Sequence, residues 1–185
     1  MKVKEVVISA LNILGRGDLA GELSGGNAPE GEGAEIVDTL LYCYNAVEDE
    51  LARKYVPLVY RENMRSPEGE YFYVAFTHSP VRIKSVSVDG KEAEYKLYPQ
   101  YMRVNAKRID VEYEYAPSRK KLDSNSDYSL EVGEYLMALG VAAEYCLING
   151  EVEASKAWEE KYRREIDCVQ NKLPVCGHIP PRRWV

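Results

Sequence analysis

The sequence lacks any long hydrophobic run. No stretch of 18 apolar residues occurs among its 185 residues, so no segment is predicted to span a membrane. The first residues enter an amphipathic pattern that already contains Glu5, which does not resemble a secretory signal peptide. The length and the ordinary share of apolar residues are sufficient for one domain with a substantial core.

Cysteine and histidine are scarce and scattered. The four cysteines are Cys43, Cys146, Cys168 and Cys176, and no Cys-x-x-Cys pair occurs among them. This spacing favours reduced, intracellular thiols over a disulfide framework. Cys168, Cys176 and His178 offer zinc-ligand atoms, but structural zinc sites usually contain close cysteine pairs. We therefore predict no metal site.

Sequence motifs of common enzymes are also missing. The chain contains no nucleophile elbow, no His-Glu-x-x-His motif and no dinucleotide-binding glycine fingerprint. We therefore predict a protein that is not an enzyme and that binds no cofactor. A hydrolase that uses His78 or a cysteine is the alternative, although His78 precedes a Ser-Pro turn and a structural role is expected for it.

Basic residues are fewer than acidic ones, which gives a net charge of −6 and a pI near 5.2. This balance argues against nonspecific binding of nucleic acid, which requires a basic face. Tyrosine, in contrast, is abundant, with 15 tyrosines against two phenylalanines. Tyrosine combines a rigid apolar ring with a polar tip, so this excess fits either protein interfaces or the packing of a sheet.

Apolar residues recur with helical spacing in four segments, which predict helices over residues 3–14, 34–55, 130–149 and 151–171. Between the first two, residues 15–33 contain seven of the 13 glycines and predict a flexible loop with a short helical turn at 18–23. Pro57 is expected to end the second helix.

The last two helices are predicted to fold back on each other as a hairpin. Ser129 is the expected N-cap of the first, and Gly150 is the expected left-handed residue between the two. The predicted buried stripes are Val132, Leu136, Leu139, Ala143 and Cys146 on one helix and Ala154, Trp158, Tyr162, Ile166 and Val169 on the other. The small residues 140–143 are expected to let another backbone approach closely.

From Val56 to Tyr115 the periodicity changes from that of helices to that of strands, which predicts an inserted antiparallel meander of four or five strands over about residues 70–116. Residues 71–76 are strand-like, and Asp89-Gly90 between residues 81–88 and 93–98 is typical of a two-residue hairpin turn. Residues 109–115 alternate apolar and acidic side chains, which indicates a strand with one buried and one solvated face.

Residues 173–185 differ from the acidic body, because they contain three prolines and no acidic side chain. Prolyl segments are extended and lose little entropy on docking, and Trp and Arg are common interface anchors. We predict an extended docking tail, with a disordered terminus as the alternative. Its expected partner-binding residues are Leu173, Pro174, Val175, Ile179, Pro180, Arg182, Arg183, Trp184 and Val185.

The predicted fold is therefore α+β: a single domain over residues 1–172, mainly a bundle of about four helices with an inserted antiparallel sheet, and an extended C-terminal arm. This layout resembles that of the head–tail connector (adaptor) proteins of tailed bacteriophages. The segments that carry the resemblance are 45–53 leading into Tyr-Val-Pro-Leu at 55–58, Tyr-Glu-Tyr-Ala-Pro at 113–117, residues 140–145 with Gly150, and Trp-Glu-Glu-Lys-Tyr at 158–162.

The resemblance implies a structural virion protein in the neck, assembled in the host cytoplasm as an oligomeric ring that is typically a dodecamer. Such a ring binds the portal protein, extends the DNA channel for DNA ejection and offers a platform for a tail or stopper protein. It also implies that the C-terminal arm contacts the portal or a neighbouring subunit, and that DNA passes without sequence-specific binding. The alternatives are a non-viral protein-interaction module with a disordered tail and a DNA-packaging accessory protein.

Overall fold

The computed structural model describes residues 1–27, 29–128 and 132–171. Within these residues the chain forms five α-helices and two antiparallel sheets, which confirms the predicted mixture of helices with antiparallel strands. The helices are α1 (Val3–Ile13), α2 (Gly17–Ser24), α3 (Glu32–Glu50), α4 (Glu134–Ile148) and α5 (Val152–Gln170). The predicted tail, residues 173–185, lies outside the described residues.

The first half of the helical region differs from the prediction in two places. The expected short turn at 18–23 is the complete helix α2, because Leu19, Ala20 and Leu23 bury their side chains in the core. The expected helix over 34–55 starts earlier, at Glu32, and its α-helical part stops at Glu50. A π-helical turn, Leu51–Tyr55, then carries the chain towards Pro57. Glycine spacing alone gave no sign of the apolar face of α2.

The helices α4 and α5 form the predicted hairpin. Gly150 lies between them with φ +79°, as expected for a left-handed residue that ends a helix. The helix begins at Glu134 and not at the predicted residue 130, so Val132 of the predicted stripe precedes it; Val132 and the four stripe residues on α4 are all buried. The expected N-cap, Ser129, is wrong for this helix, because Gly133 is the N-cap residue, and Ser129 itself lies outside the described residues. The first helix of the hairpin therefore turns its predicted face towards the core.

Burial on α4 extends beyond one stripe, because α4 lies between other helices. Met137, Ala138, Val141 and Ala142 are buried as well. A Cβ atom on Gly140 would lie 2.8 Å from Val47 Cγ1 of α3 and 2.9 Å from Tyr162 Cε2 of α5. The close approach predicted for residues 140–143 is thus confirmed.

The α5 stripe is only partly buried. Tyr162 and Ile166 are buried, whereas Ala154, Trp158 and Val169 are half-buried. Lys161 places its ammonium group 4.3 Å from the centre of the Trp158 ring, which keeps part of that ring at the surface. On the exposed face of α5, ion pairs join Glu159 to Arg163 and Glu160 to Arg164.

The strands are arranged in two separate sheets. They are β1 (Leu58–Arg65), β2 (Glu70–Phe72), β3 (Pro80–Val88), β4 (Lys91–Glu92), β5 (Tyr95–Leu97), β6 (Tyr101–Val104) and β7 (Arg108–Tyr115). One sheet has the order β1-β7-β3-β4 and the other has the order β2-β6-β5. The prediction of one meander beginning near residue 70 is therefore wrong. Strand β1 was missed because its inward face carries Glu62 among apolar residues, which weakens the alternation.

Several local predictions for the strands are confirmed and two are wrong. The hairpin turn at Asp89 and Gly90 has the positive φ values of +51° and +78° that its sequence predicts. The four alternating apolar residues of β7 are buried. Residues 93–98 are not the strand that pairs with β3 across this turn: that strand is β4, Lys91–Glu92, whereas Tyr95–Leu97 forms β5 and pairs with β6. Residues 71–76 pair only as far as Phe72 and continue as a 3-10 turn, Tyr73–Ala75.

The connection between β7 and α4, residues 117–128, joins the sheet region to the helices. The Val3 backbone N–H donates to the Ser124 carbonyl over 3.1 Å, and the Tyr128 hydroxyl donates to the Val56 carbonyl over 2.6 Å. Buried residues from both regions form one continuous core. The surfaces described below are therefore presented by one packed structure.

Candidate interaction surfaces

The predicted docking residues all lie in the tail, outside the described residues, so the structure defines only where that tail begins. Helix α5 ends at Gln170, whose side-chain amide donates to the Tyr55 carbonyl over 3.1 Å. The tail therefore leaves the helical region beside the π-helical turn that follows α3. Three further features of the described residues are relevant to binding: a cleft, an aromatic patch and a helical tip.

The cleft lies between α3, α4 and α5 and encloses about 120 Å³. Its lining includes Gly140 of α4 and Arg163 of α5. Three carboxylates line it, one from each helix: Glu50, Glu144 and Glu159. Tyr55 and Tyr162 supply aromatic walls. We refer to this feature as the acidic cleft.

Two of the three carboxylates are already paired with cations. Glu50 accepts a bond of 2.9 Å from Lys54, and Glu159 accepts one of 2.5 Å from Arg163. Glu144 makes no salt bridge with any residue that the structure describes. Burial raises the pKa of the Glu144 carboxyl, and the negative charges of Glu50 and Glu159 raise it further. The nearby Lys54 ammonium opposes this rise in part. The cleft thus holds one half-buried carboxyl group that has no salt bridge within the described part of the chain.

A second polar group in the acidic cleft also lacks a partner. Tyr162 is only 5% exposed, yet its hydroxyl makes no hydrogen bond within the described part of the chain. Burial raises the pKa of this hydroxyl, so it stays protonated and can both donate and accept. Buried polar atoms are normally paired, and an exception calls for an explanation.

The aromatic patch lies on the smaller sheet and the turn beside it. It consists of Phe72, Val74, Tyr98 and Tyr101, and Val74 is 95% exposed. The Phe72 and Tyr98 rings both contact the Tyr101 ring, at centroid distances of 5.5 Å and 4.8 Å. A parallel row of charged residues, Glu70, Arg103 and Lys96, follows on the same strands. An apolar centre with a polar border is typical of protein interfaces.

The third feature is the helical tip where α4 turns into α5. Leu147, Ile148 and Val152 expose about half of their surface there. Leu147 also lines the acidic cleft. The tip belongs to a helical hairpin, whereas the aromatic patch belongs to a sheet, so the chain offers two apolar surfaces on different elements.

A buried polar network beneath the surface holds the 117–128 connection against α3. One carboxylate oxygen of Glu48 accepts hydrogen bonds from the Tyr44 hydroxyl (3.0 Å), the Ser126 hydroxyl (2.7 Å) and the Asp127 backbone N–H (3.1 Å). Burial raises the pKa of the Glu48 carboxyl, although these three bonds oppose that effect. The network holds the 117–128 connection against α3, while the other carboxylate oxygen of Glu48, Oε2, is buried without a hydrogen-bond partner among the described residues.

His78 belongs to a second polar and aromatic cluster, on the inner face of the larger sheet. Its ring stacks on Tyr115 at 4.2 Å, and its backbone N–H donates to the Tyr113 hydroxyl. That hydroxyl donates in turn to Glu62 over 2.7 Å. Burial alone would raise the pKa of the Glu62 carboxyl, but bonds from Thr77 and Tyr113 outweigh it and lower that pKa.

The cysteines considered as zinc ligands or nucleophiles occupy different environments. Cys43 and Cys146 are buried, and burial raises the pKa of the Cys43 thiol to about 12. Cys168 is exposed on α5, and Cys176 and His178 lie outside the described residues. Among the residues that the structure describes, no three candidate ligands are grouped so that they could hold a metal ion.

Neither the acidic cleft nor the aromatic patch was identified from the sequence. The available signals were a single Glu144 within the small apolar run of α4, and aromatic residues at Phe72, Tyr98 and Tyr101. None of the helices in the described ranges combines the length and apolarity needed to cross a bilayer. Comparison of the chain with protein-family models and with curated proteins finds no match.

Proposed function

We propose that this protein is a head–tail adaptor of a tailed bacteriophage. In this role it is a structural virion protein of the neck, assembled in the host cytoplasm as a ring of about twelve copies beneath the portal. The ring extends the DNA channel and joins the capsid to a downstream tail or stopper protein. DNA passes through it without sequence-specific binding, and the tail, residues 173–185, contacts the portal or a neighbouring subunit.

The observation that carries the proposal is the pair of exposed apolar surfaces on different elements, the aromatic patch and the helical tip. Head-to-tail rings require two different surfaces on each subunit, because each copy contacts its two neighbours through different faces. Contiguous exposed apolar patches are a feature of protein interaction sites. A subunit that assembles through both surfaces accounts for their exposure in the isolated chain.

The segments that carry the resemblance to adaptors also support the proposal through their packing. Val47 from the first segment, Gly140 from the third and Tyr162 from the fourth meet where α3, α4 and α5 cross. The Tyr-Val-Pro-Leu segment, residues 55–58, leads directly from the π-helical turn into β1. These residues therefore form the frame of the fold, as expected if the resemblance reflects shared architecture.

Native mass spectrometry of the protein with and without its portal protein tests the proposal. We expect a discrete ring on the portal, which is lost when residues 173–185 are removed. Val74→Ser in the aromatic patch and Leu147→Ser at the helical tip should each weaken ring formation without unfolding the subunit. Val59→Ser is the control, because Val59 is exposed to a similar extent as Leu147 but lies on the charged outer face of the larger sheet.

The competing functions give different results in the same experiment. The absence of a complex under all conditions would contradict the adaptor function and favour a non-viral interaction module. Salt-sensitive DNA binding at physiological ionic strength would favour a DNA-packaging accessory protein. A ring that forms equally well with Val74→Ser, Leu147→Ser and Val59→Ser would remove the two apolar surfaces as its basis.

A further inference from the structure

We propose that Glu48 is a pH-sensitive switch that controls how firmly the 117–128 connection is held against α3. Its carboxyl group is neutral while the connection is docked, and ionisation of the group favours release of the connection. The proposal goes beyond the proposed function and does not depend on it. It rests on the burial of Glu48, on the unequal pairing of its two carboxyl oxygens and on the charges that face it.

The two carboxyl oxygens of Glu48 have unequal numbers of hydrogen-bond partners. Oε1 accepts bonds from the hydroxyls of Tyr44 and Ser126 and from the backbone N–H of Asp127. Oε2 is buried and has no partner within the part of the chain that the structure describes. An ionised carboxylate carries negative charge on both oxygens, so the burial of an unpaired one is costly. A neutral carboxyl group avoids that cost, and its proton can be donated from Oε1 to the Tyr44 hydroxyl oxygen over 3.0 Å.

Solvent and neighbouring charges stabilise the ionised form of Glu48 only weakly. Glu48 is 1% exposed, and no salt bridge to it occurs among the described residues. Lys120 attracts its negative charge, but the Lys120 ammonium is itself bonded to the Asp127 carboxylate over 2.5 Å. Burial raises the pKa of the Glu48 carboxyl, and its hydrogen bonds and Lys120 oppose this rise only in part.

The remaining groups that face Glu48 add no net positive charge. Tyr44 on the same helix and Tyr115 on β7 are neutral hydroxyl groups, and burial raises the pKa of both. Asp49 and Arg119 line the surface groove that Glu48 borders, with one charge of each sign. Ionisation of Glu48 would therefore leave a negative charge in the contact between α3 and the connection.

The docked connection also holds the start of α1. The Val3 backbone N–H donates to the Ser124 carbonyl over 3.1 Å, and the Ser126 backbone N–H donates to the Met1 carbonyl over 3.1 Å. Release of the connection would expose these amides to solvent. Their hydrogen exchange therefore reports on the docking of the connection.

The expected pH dependence follows from the raised pKa of Glu48. The neutral form contributes stability that is complete below the ordinary carboxyl pKa of 4.5 and is lost as the pH rises through the raised pKa. The docking equilibrium should weaken about tenfold for each pH unit by which this pKa exceeds 4.5. Glu62 is the natural comparison, because both of its oxygens accept hydrogen bonds and its pKa is lowered.

Two measurements on the wild-type chain test the proposal. Carbon-13 NMR of labelled glutamate side chains follows the ionisation of Glu48 and Glu62 directly. We expect a pKa above 4.5 for Glu48 and below 4.5 for Glu62. Hydrogen exchange, corrected for its intrinsic dependence on pH, measures the protection of the Val3 and Asp127 amides. That protection should fall as the pH rises from 4.5 through the measured pKa of Glu48.

Glu48→Gln and Glu62→Gln form a matched pair of variants. Glu48→Gln keeps the shape of the neutral carboxyl group and cannot ionise, so its stability at pH 7 should equal or exceed that of the wild type. In this variant the protection of the Asp127 amide should no longer depend on the ionisation of residue 48. Glu62→Gln should be less stable than the wild type at pH 7, because an ionised acceptor is lost, and the pH dependence of the Asp127 amide should remain.

Three results would overturn the proposal. They are a measured pKa of Glu48 at or below 4.5, amide protection of Val3 and Asp127 that does not change with pH in the wild type, and a loss of stability for Glu48→Gln as large as that for Glu62→Gln. None of these measurements involves a portal protein or ring formation. Failure of this proposal and failure of the proposed function are therefore distinguishable.

Discussion

The helical region and the sheet region fill their cores in different ways. Helix α4 is buried over most of its circumference and relies on small residues, so that α3 and α5 come within contact of Gly140. The sheets rely on aromatic side chains, such as Tyr71 of β2 and Tyr113 of β7. In the helical core, the stability therefore depends mainly on side-chain volume. In the sheet core, it also depends on whether each buried tyrosine hydroxyl has a hydrogen-bond partner.

Tyrosine hydroxyls pair with distant segments in the sheet region, which accounts for part of the excess of tyrosine over phenylalanine. The Tyr71 hydroxyl donates to the Ala106 carbonyl, the Tyr113 hydroxyl to Glu62 and the Tyr128 hydroxyl to Val56. Each of these bonds joins a strand or the 117–128 connection to a different segment. Tyrosine therefore serves the packing of the sheet region, while exposed Tyr98 contributes to the aromatic patch.

The largest expected loss of stability comes from a substitution that removes side-chain volume from the helical core. Leu139→Ala should lower the free energy of unfolding by about 2–5 kcal/mol, because Leu139 is fully buried on α4. Trp158→Ala should cost less, about 1–2 kcal/mol, because its ring is half-exposed. Chemical denaturation of both variants measures the two losses. A larger loss for Trp158→Ala would mean that α5 is more deeply buried than described.

A smaller effect is expected where the helical core leaves no room for an added atom. Gly140→Ala should destabilise the protein by about 1–3 kcal/mol, because the new Cβ would lie 2.8 Å from Val47 Cγ1 and overpack the helix crossing. Gly21→Ala is the matched control in α2, where no atom lies within 4 Å of the added Cβ. It should be stabilising by about 0.5–1 kcal/mol through helix propensity.

Thermal unfolding of the two glycine variants separates crowding from propensity. Opposite signs of the change in melting temperature are expected. Stabilisation by Gly140→Ala would show that α3 and α5 can move away from α4 without a loss of stability. That result would contradict the close packing of α4 between these helices.

The helical hairpin could be predicted from sequence because its signals are local. Spacing by three and four placed Leu136 and Leu139 on the buried face, and Gly150 marked the turn. Two further features could be predicted because they depend on neighbouring residues: the hairpin turn at Asp89-Gly90 and the alternation in β7. Local patterns therefore gave most element types but not their partners.

The division into two sheets could not be predicted, because it depends on which distant strands pair. Strand β7 lies between β1 and β3, and these pairings join residues separated by about 20 to 60 positions in sequence. The polar Glu62 on the inner face of β1 further hid that strand, and only its bonds to Thr77 and Tyr113 explain its presence there. The acidic cleft could not be predicted either, because its carboxylates come from three helices that meet only in the folded structure.

The smallest expected effect concerns the hydroxyl groups of the sheet region. Tyr113→Phe removes a donor to Glu62 and an acceptor for the His78 backbone N–H, so it should lower the free energy of unfolding by about 1 kcal/mol at pH 7. The pKa of Glu62 is lowered in the folded state, so its ionised form contributes stability above the ordinary carboxyl pKa of 4.5, and that contribution is lost as the pH falls through the lowered pKa.

The difference between the wild type and Tyr113→Phe should therefore shrink as the pH falls from 7 to below 4.5, because a protonated Glu62 gains less from the hydroxyl donor. Tyr60→Phe is the control, since Tyr60 lies in the same aromatic cluster and no hydrogen bond of its hydroxyl occurs among the described residues. Denaturation at several pH values measures both variants. Two results would contradict this prediction: a stability difference between the wild type and Tyr113→Phe that is constant across this pH range, or an equal loss of stability for Tyr60→Phe. Either result would mean that ring packing alone, and not hydroxyl pairing, determines the stability of this sheet. The sheet core would then not differ from the helical core in this respect.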